Sequence, residues 1–216
     1  MVGRHTKLSD ADRQRLSRLI KDGETRTAAE LVLVTAEACG RYGVFAFLWP
    51  ALAALVAGGV AALLFPGLAA TRLFLLEAAV FVVLAGLLQW PRVLLRAVPR
   101  TVRRAHAQHL SAYQFAIRVE GRTPRRTGVL LFLAWAEREV FILPDSGVSA
   151  IVDAGTWRAV IDRLAAATRG GPPAEALAAA ITEILAVLER HFPRRDGSAG
   201  ILPDDVVELS DPRRAE

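Results

Sequence analysis

The sequence predicts an α/β domain that is interrupted, after its first strand, by a hairpin of two transmembrane helices. Two observations predict it. Residues 44–65 contain no charged side chain, and a second apolar run extends from Leu73 to about Pro91. Before and after this segment, short runs rich in valine and leucine are typical of buried strands, and amphipathic patterns are typical of helices that cover a sheet.

Composition agrees with this and excludes several classes of protein. The chain has 216 residues, of which 53% are apolar, and a formal net charge of +5. So high an apolar fraction excludes a disordered chain. The single cysteine, Cys39, excludes a disulfide framework and a four-cysteine metal site. The sequence also contains no nucleophile elbow, metalloprotease motif or phosphate-binding glycine loop.

Residues 1–43 are expected to form the first helix and the first strand of the domain. Ser9 followed by Asp12 predicts a capped helix start, and Gly23 predicts the helix end. The run at residues 31–35 predicts a buried strand. One helix and one strand cannot bury a core alone, so the partners of this strand must lie after the apolar runs.

Residues 44–91 predict the transmembrane hairpin, with spans at 44–65 and 73–91. A bilayer core is about 30 Å thick and needs about 20 apolar helical residues to cross it. Pro66-Gly67 predicts a turn between the spans. Because the loop is short, the spans are antiparallel and both flanking segments lie on one side of the membrane. The alternative is a buried helical pair in a soluble protein.

Arginines predict the orientation of the hairpin. Between Arg92 and Arg126 there are nine arginines and one acid, Glu120, whereas the loop between the spans carries only Arg72. Positive residues beside spans favour the cytoplasm, and no secretory signal is expected at the N-terminus. We therefore expect a multi-pass protein of the bacterial inner membrane with both termini in the cytoplasm.

Charged and small residues near the membrane have expected roles. Glu77, in the second span, is expected to lie at the membrane interface and to face Arg72. The alternative is that it is a functional intramembrane carboxylate in a channel or transporter. A row of small residues on the first span, Ala54, Gly58 and Ala62, is expected to pack the hairpin. The arginines expected to contact anionic lipid headgroups are Arg92, Arg96, Arg100, Arg103 and Arg104. Aromatic residues are not interleaved with them, which disfavours nucleic-acid binding.

Residues 92–216 supply the remainder of the domain. They predict a helix at 98–118, a β-hairpin with strands at 128–135 and 139–143, and two more helices separated by a Gly-Gly-Pro-Pro break. Thr156 is expected to cap the first of these two. From residue 127 onward there are 14 acids and nine arginines, so an acidic part with an acidic tail follows the basic segment. The residues predicted to face inward on the three helices are Val98, Val102, Ala105, His109, Tyr113 and Ala116; Trp157, Val160, Ile161 and Leu164; and Leu177, Ile181, Ile184, Leu188 and Phe192.

Several short motifs, in this order, resemble a known family. The chain has an LSDADRQRL helix, then Glu24, Thr27 and Glu30 before an LVLVT strand, and Asp145-x-Gly147 after the third strand. This order resembles the TPM domain family, named for a thylakoid-lumen phosphatase, a photosystem-repair protein and a receptor auxiliary protein. Further similar residues are Thr127-Gly128-Val129-Leu130, Glu137-Arg138, Trp157, Phe192-Pro193 and Leu202-Pro203-Asp204.

The resemblance implies an α/β sandwich with a small central sheet. Many members carry a secretion signal, whereas this chain is similar to the branch in which two spans split the domain. A role in photosystem repair therefore does not carry over. Some members are reported to bind metal or to hydrolyse phosphate esters, so the resemblance permits both activities.

Asp145 is the main candidate for a metal ligand or a catalytic carboxylate. It follows a strand, which is where α/β sheets place ligand sites. Asp153 and Glu137, or the distant Asp204-Asp205 pair, are candidates to join it around Ca²⁺ or Mg²⁺. The alternative is that Asp145 opens a turn or caps a helix by accepting backbone N–H bonds.

Other metal-type and nucleophile-type groups have weaker patterns. His106 and His109 have a spacing that permits a shared metal, but neighbouring arginines disfavour a cation there. Cys39 is expected to be a bystander thiol because no histidine accompanies it.

Two functional hypotheses follow. The first is a non-enzymatic interaction or regulatory module, anchored at the cytoplasmic surface of the inner membrane, whose acidic part meets a protein partner. The second is a metal-assisted phosphatase centred on Asp145.

Overall fold

The computed structural model describes residues 8–194, Leu202 and residues 206–210, and the chain divides into two units. The unit boundaries lie between Cys39 and Gly40 and between Arg103 and Arg104. The first unit contains a sheet with helices on both faces. The second contains the two long apolar helices. The predicted ligand pair Asp204-Asp205 and most of the acidic tail lie outside the described residues.

The sheet of the first unit consists of β1 Glu30–Ala36, β2 Gly128–Ala134, β3 Glu139–Pro144 and β4 Val207–Leu209. The strand order is β3-β2-β1-β4. β1 pairs in parallel with β2 and with β4, whereas β2 and β3 form an antiparallel hairpin. The first three strands lie where the sequence predicts them. β4 was not predicted, because three residues within a polar tail contain no strand-length apolar run.

Every residue of β1 and β2 is buried, because helices cover both faces of the sheet. Side chains alternate along each strand, so Leu31 and Leu33 pack in one layer and Val32 and Val34 in the other. Burial on both faces explains why these strands are continuous apolar runs in the sequence.

Three helices cover the first face of the sheet: α1 Asp10–Glu24, α7 Ala154–Gly170 and α8 Pro173–His191. The capping box predicted for α1, between Ser9 and Asp12, is confirmed. The inward residues predicted for α7 and α8 are confirmed too, since all of them are buried or pack against the buried core of this face.

One helix, α5 Arg100–Arg118, packs on the second face of the sheet. Its buried residues are Ala107, Ser111 and Gln114, two of which are polar. The Ser111 hydroxyl donates to a carbonyl in its own helix, and the Gln114 side-chain oxygen accepts from Arg118. Apolar periodicity therefore predicted the wrong face of this helix. The predicted inward residues that are in fact exposed are Ala105, His109, Tyr113 and Ala116.

The second unit consists of α2 Gly43–Leu64, α3 Ala70–Leu88 and α4 Pro91–Ala97. α3 ends earlier than predicted because Trp90 is extended before Pro91, as expected for a residue that precedes proline. Many large apolar side chains of α2 and α3 are exposed; Leu63, for example, is 82% exposed. Both helices are long and apolar enough to cross a membrane.

The buried residues of α2 are small, as predicted, although the row differs at one end. They are Ala46, Pro50, Ala54, Gly58 and Ala61. Ala62 is exposed, and Ala61 takes the place that was predicted for it. A helix has 3.6 residues per turn, so a strict four-residue spacing drifts around its surface.

The fold class is confirmed. The chain is a mixed α/β protein with a small four-stranded sheet, and two apolar helices are inserted between β1 and β2.

Candidate functional site

Asp145 is buried, at 3% exposure, directly after β3. Its Oδ1 accepts the backbone N–H of Ser146 at 2.6 Å, and its Oδ2 accepts the backbone N–H of Gly121 at 2.9 Å. The carboxylate thereby caps α6 Ser146–Ser149 and ties the loop after α5 to that short helix. This is the capping role that the sequence left open as the alternative to chemistry.

Asp145 lies at the edge of the sheet opposite to the one expected for a ligand site. Its backbone N–H donates to the carbonyl of Gly128, the first residue of β2. Because β3 is antiparallel to β2, the C-terminal end of β3 lies at the N-terminal edge of the parallel strands. Ligand sites of α/β sheets lie beyond the carboxyl ends of parallel strands. The argument that placed Asp145 at such a site is therefore wrong.

The carboxyl edge of the parallel strands carries Glu137, Cys39 and Glu37 instead. Glu137 lies in the turn between β2 and β3, is 3% exposed, and accepts the backbone N–H of Cys39 at 2.9 Å. Glu37 directly follows β1, and its backbone N–H donates to the carbonyl of Leu209. Glu37 was not predicted as a candidate site residue. Its position directly after a buried parallel strand is the sequence signal that marks it as a residue of this carboxyl edge.

The three carboxylates predicted to bind Ca²⁺ or Mg²⁺ do not come together. Asp145 and Glu137 lie at opposite ends of β3, whose six residues at about 3.3 Å each separate them by about 20 Å. Asp153 caps α7 by accepting a backbone N–H at 2.6 Å. The prediction that Thr156 caps this helix is therefore wrong. Within the described part of the chain, no three His, Cys, Asp or Glu side chains are placed to hold a metal ion.

The Glu24, Thr27 and Glu30 motif stabilises the start of β1. The Glu24 carboxylate accepts the backbone N–H of Leu31 at 2.7 Å, and the buried Glu30 carboxylate accepts that of Leu202. The Thr27 hydroxyl donates at 2.7 Å to a carbonyl just beyond the end of α8. The Glu24 bond closes the loop before β1, and the bonds of Thr27 and Glu30 join this region to the C-terminal part of the chain, so all three have a structural role.

Comparison with known proteins identifies the domain that contains the Asp145 and Glu137 positions. Residues 98–187, which include α5, the β2–β3 hairpin, α6, α7 and most of α8, match the TPM domain family. Residues 98–187 are therefore identified as a TPM domain. Asp145, Gly147 and Glu137 lie inside the matched residues, whereas the motif at residues 24–30 precedes them.

The fold of the chain also has a counterpart among solved structures. It is similar to the NMR structure of the BA42 protein from the psychrophilic bacterium Bizionia argentinensis, with a TM-score of 0.56 over 96% of this chain and 99% of that one. The two sequences are 13% identical, so the likeness shows a shared fold alone. No curated protein matches this chain significantly in sequence.

A group of basic residues lies in α4 and α5, between the apolar helices and β2. His106 and His109 are both exposed on α5, and within the described residues they belong to no metal-binding group of three. The arginines predicted to contact headgroups are exposed at Arg96, Arg100 and Arg104 and half-buried at Arg103; Arg92 lies in α4, and its side chain is outside the described part. No acid lies among these arginines in the sequence, so this stretch is uniformly basic.

Glu77 packs against α2 inside the hairpin. A Cβ placed on Gly58 would lie 1.8 Å from Glu77 Oε1, so the glycine leaves the space that the carboxylate fills. Since α3 begins at Ala70, Glu77 lies two turns into the helix rather than one. Arg72 and Glu77 are five residues apart, which places them on different faces of α3.

We predict that the Cys39 thiol of the folded chain reacts slowly with a disulfide reagent at pH 8. Burial and then the Glu137 carboxylate raise the pKa of the thiol far above its usual range, and the thiolate is the reactive form. The rate is expected to be at least about tenfold lower than in the urea-unfolded chain, since each pKa unit changes the thiolate fraction tenfold. The measurement is the pseudo-first-order rate in both states.

Two variants of the TPM domain test the cause of this protection. Glu137→Gln removes the neighbouring charge, lowers the thiol pKa and is expected to accelerate the reaction. Glu139→Gln removes a charge two residues away and is expected to leave the rate unchanged. A folded wild-type chain that reacts as fast as the unfolded chain contradicts the prediction.

Proposed function

We propose that the α2–α3 hairpin anchors the TPM domain at the cytoplasmic surface of a bacterial inner membrane, where the domain acts as an interaction or regulatory module. The observation that carries this proposal is the apolar surface of α2 and α3. Each helix has a mean hydropathy of 2.1 in its most apolar window, of which only 22% and 6% is buried. A core helix of a soluble protein buries most of such a surface, whereas a membrane span exposes it to lipid.

Length and side-chain distribution support the spanning arrangement. At 1.5 Å per residue, the 22 residues of α2 and the 19 residues of α3 extend about 33 Å and about 28 Å, which matches a bilayer core. Exposed apolar residues occur along both helices, from Val44 to Phe65 and from Phe74 to Leu87. Exposing an apolar surface on so many sides to water is energetically unfavourable.

The distribution of arginine supports the cytoplasmic orientation. Only Arg72 lies in the segment that joins the spans, whereas nine arginines follow between Arg92 and Arg126. Lys and Arg near spans are retained on the cytoplasmic side, and a hairpin places both of its flanks on the same side. This distribution supports a cytoplasmic location for both termini.

The use of the carboxylates supports an interaction module over an enzyme. Asp145, Asp153, Glu24, Glu30 and Glu137 all accept backbone N–H groups within the fold. These bonds hold loops and helix starts in place. The net charge from residue 127 onward, 14 acids against nine arginines, suits a basic surface on a protein partner.

The anchor and its orientation are tested together in a bacterial host. We predict that the full chain remains in the membrane pellet after carbonate extraction. Of two reporters fused after Glu216, we expect activity from the one that works in the cytoplasm and none from the one that works in the periplasm. Release by carbonate contradicts the anchor. A reporter that is active in the periplasm contradicts the orientation.

The metal-assisted phosphatase is the rival function and has its own test. The purified full chain is assayed against a phosphate monoester with Ca²⁺ or Mg²⁺, and its melting temperature is followed in the same metal titration. Turnover that Asp145→Asn abolishes contradicts the non-enzymatic module. Under the module proposal neither turnover nor a metal-dependent melting shift is expected.

A further inference from the structure

We propose that the TPM domain docks onto the anionic bilayer through the outward face of α5 and the basic loop that follows it. The outward face is defined by exposed Ala105, His109, Tyr113, Ala116 and Ile117. The basic loop comprises residues 119–127. The inference rests on the proposed anchor and adds a second membrane contact, made by the domain itself.

The outward face of α5 carries side chains suited to a membrane interface. Tyr113 is 61% exposed and Ile117 is 38% exposed, one helical turn apart. Tyr113 lies away from the side that packs toward the sheet, which carries Ala107, Ser111 and Gln114, and Ile117 lies at the margin of that side. Tyrosine combines an apolar ring with a polar hydroxyl, and an aliphatic neighbour beside it can enter the boundary between headgroups and acyl chains.

The charge of this surface is complementary to an anionic bilayer. Residues 100–127 contain seven arginines and a single acid, Glu120. Three of the arginines, Arg122, Arg125 and Arg126, are exposed within the basic loop. At 100° per residue the α5 arginines project on the side of its buried residues, so the arginines of the basic loop supply the positive charge of this surface. Arginines beside exposed aromatic and aliphatic side chains are typical of a contact with a membrane surface.

The basic loop is held in one conformation by the rest of the domain. Oδ2 of the buried Asp145 accepts the N–H of Gly121, and the Arg126 carbonyl accepts the N–H of Gly147 at 3.0 Å. The buried Thr123 hydroxyl also accepts a backbone N–H within the loop at 2.7 Å. The guanidinium groups are thus attached to a backbone that is already fixed. Docking therefore costs little further loss of backbone conformational entropy.

The position of this surface in the chain favours a bilayer over a nucleic acid. Only residues 89–99, which include α4, separate the end of α3 from the start of α5. An anchored hairpin therefore keeps the basic surface at a high effective concentration near headgroups. Nucleic-acid interfaces combine arginines with several stacking aromatics, whereas Tyr113 is the one exposed aromatic residue in the described part of α5.

The test uses the full chain reconstituted in vesicles. An environment-sensitive fluorophore is attached to Ala116→Cys in a Cys39→Ala background, and a lipid with a nitroxide on its headgroup acts as quencher. We expect strong quenching when phosphatidylglycerol is present and weak quenching in phosphatidylcholine alone or at about 0.5 M salt, where charge interactions are screened. The same fluorophore on Thr182→Cys, in α8 on the other side of the sheet, is expected to remain unquenched.

Charge-matched variants identify the groups responsible. Replacing Arg122, Arg125 and Arg126 by glutamine is expected to weaken the docking equilibrium about 100-fold, at about fivefold per arginine, and to reduce quenching to its level in neutral vesicles. The control replaces Arg15, Arg18 and Lys21 of α1 by glutamine, which removes the same charge and is expected to preserve quenching. Near-ultraviolet circular dichroism verifies that both variants are folded.

Flotation of the vesicles separates the two proposals. A chain that floats but is not quenched at Ala116→Cys, or a triple loop variant quenched like the parent, overturns the docking and leaves the anchor intact. A chain that does not float contradicts the anchor and the docking with it. Retention of duplex DNA by the loop arginines without quenching on vesicles overturns the docking in favour of a nucleic-acid interface.

Discussion

Replacing Leu55 and Val82 together by arginine is expected to remove the full chain from the carbonate-resistant membrane fraction. Leu55 is 67% exposed on α2 and Val82 is 66% exposed on α3, each near the middle of its helix. An arginine at the centre of a span costs about 2.5–3.5 kcal/mol on insertion, so the pair costs about 5–7 kcal/mol. The measurement is the fraction of chain that resists carbonate extraction, determined by immunoblot.

The same pair of substitutions separates a membrane hairpin from a soluble one. At exposed positions of a soluble protein, arginine is tolerated within about 0.5 kcal/mol, so the double variant would stay folded at wild-type levels in the supernatant. A charge-matched control places arginine at the exposed positions Ala179 and Thr182 of α8 and is expected to leave membrane retention unchanged. Wild-type retention of the Leu55→Arg/Val82→Arg chain would contradict the proposed spans.

The strands β1 and β2 were predictable because their signal is local. β1 and β2 are buried on both faces, and continuous burial produces apolar runs whose ends coincide with the strand ends within a residue or two. The capping box of α1 is equally local, since Ser9 and Asp12 satisfy each other's backbone N–H groups. Such features depend on neighbouring residues, which the sequence displays directly.

The inward face of α5 and the role of Asp145 were not predictable in the same way. The buried side of α5 includes Ser111 and Gln114, whose polar groups are satisfied inside the helix, so periodicity selected the side that carries Tyr113. The position of Asp145 depends on the direction of β3 relative to β1 and β2. Strand direction is a property of the sheet and is absent from the few residues around a strand end.

Gly147→Ala is expected to destabilise the TPM domain by about 1–3 kcal/mol, the usual cost of inserting a methyl group where no space exists. A Cβ on Gly147 would lie 2.2 Å from the carbonyl oxygen of Arg125 and 2.7 Å from that of Arg126. Both are backbone atoms, so the clash can be relieved only if the basic loop moves away from α6. A lower melting temperature is expected, by about 2–4 °C per kcal/mol for a domain of this size.

Gly170→Ala is the matched control for this substitution. Gly170 is the last residue of α7, and nothing lies within 4 Å of a Cβ placed there. Alanine is a better helix former than glycine, so this variant is expected to be neutral or slightly stabilising. Hydrogen exchange at the Gly121 amide distinguishes the cause, because displacement of the loop breaks its bond to Asp145 and accelerates exchange. If Gly147→Ala melts like Gly170→Ala and the Gly121 amide remains protected, the close approach of α6 to the basic loop does not hold the loop in place.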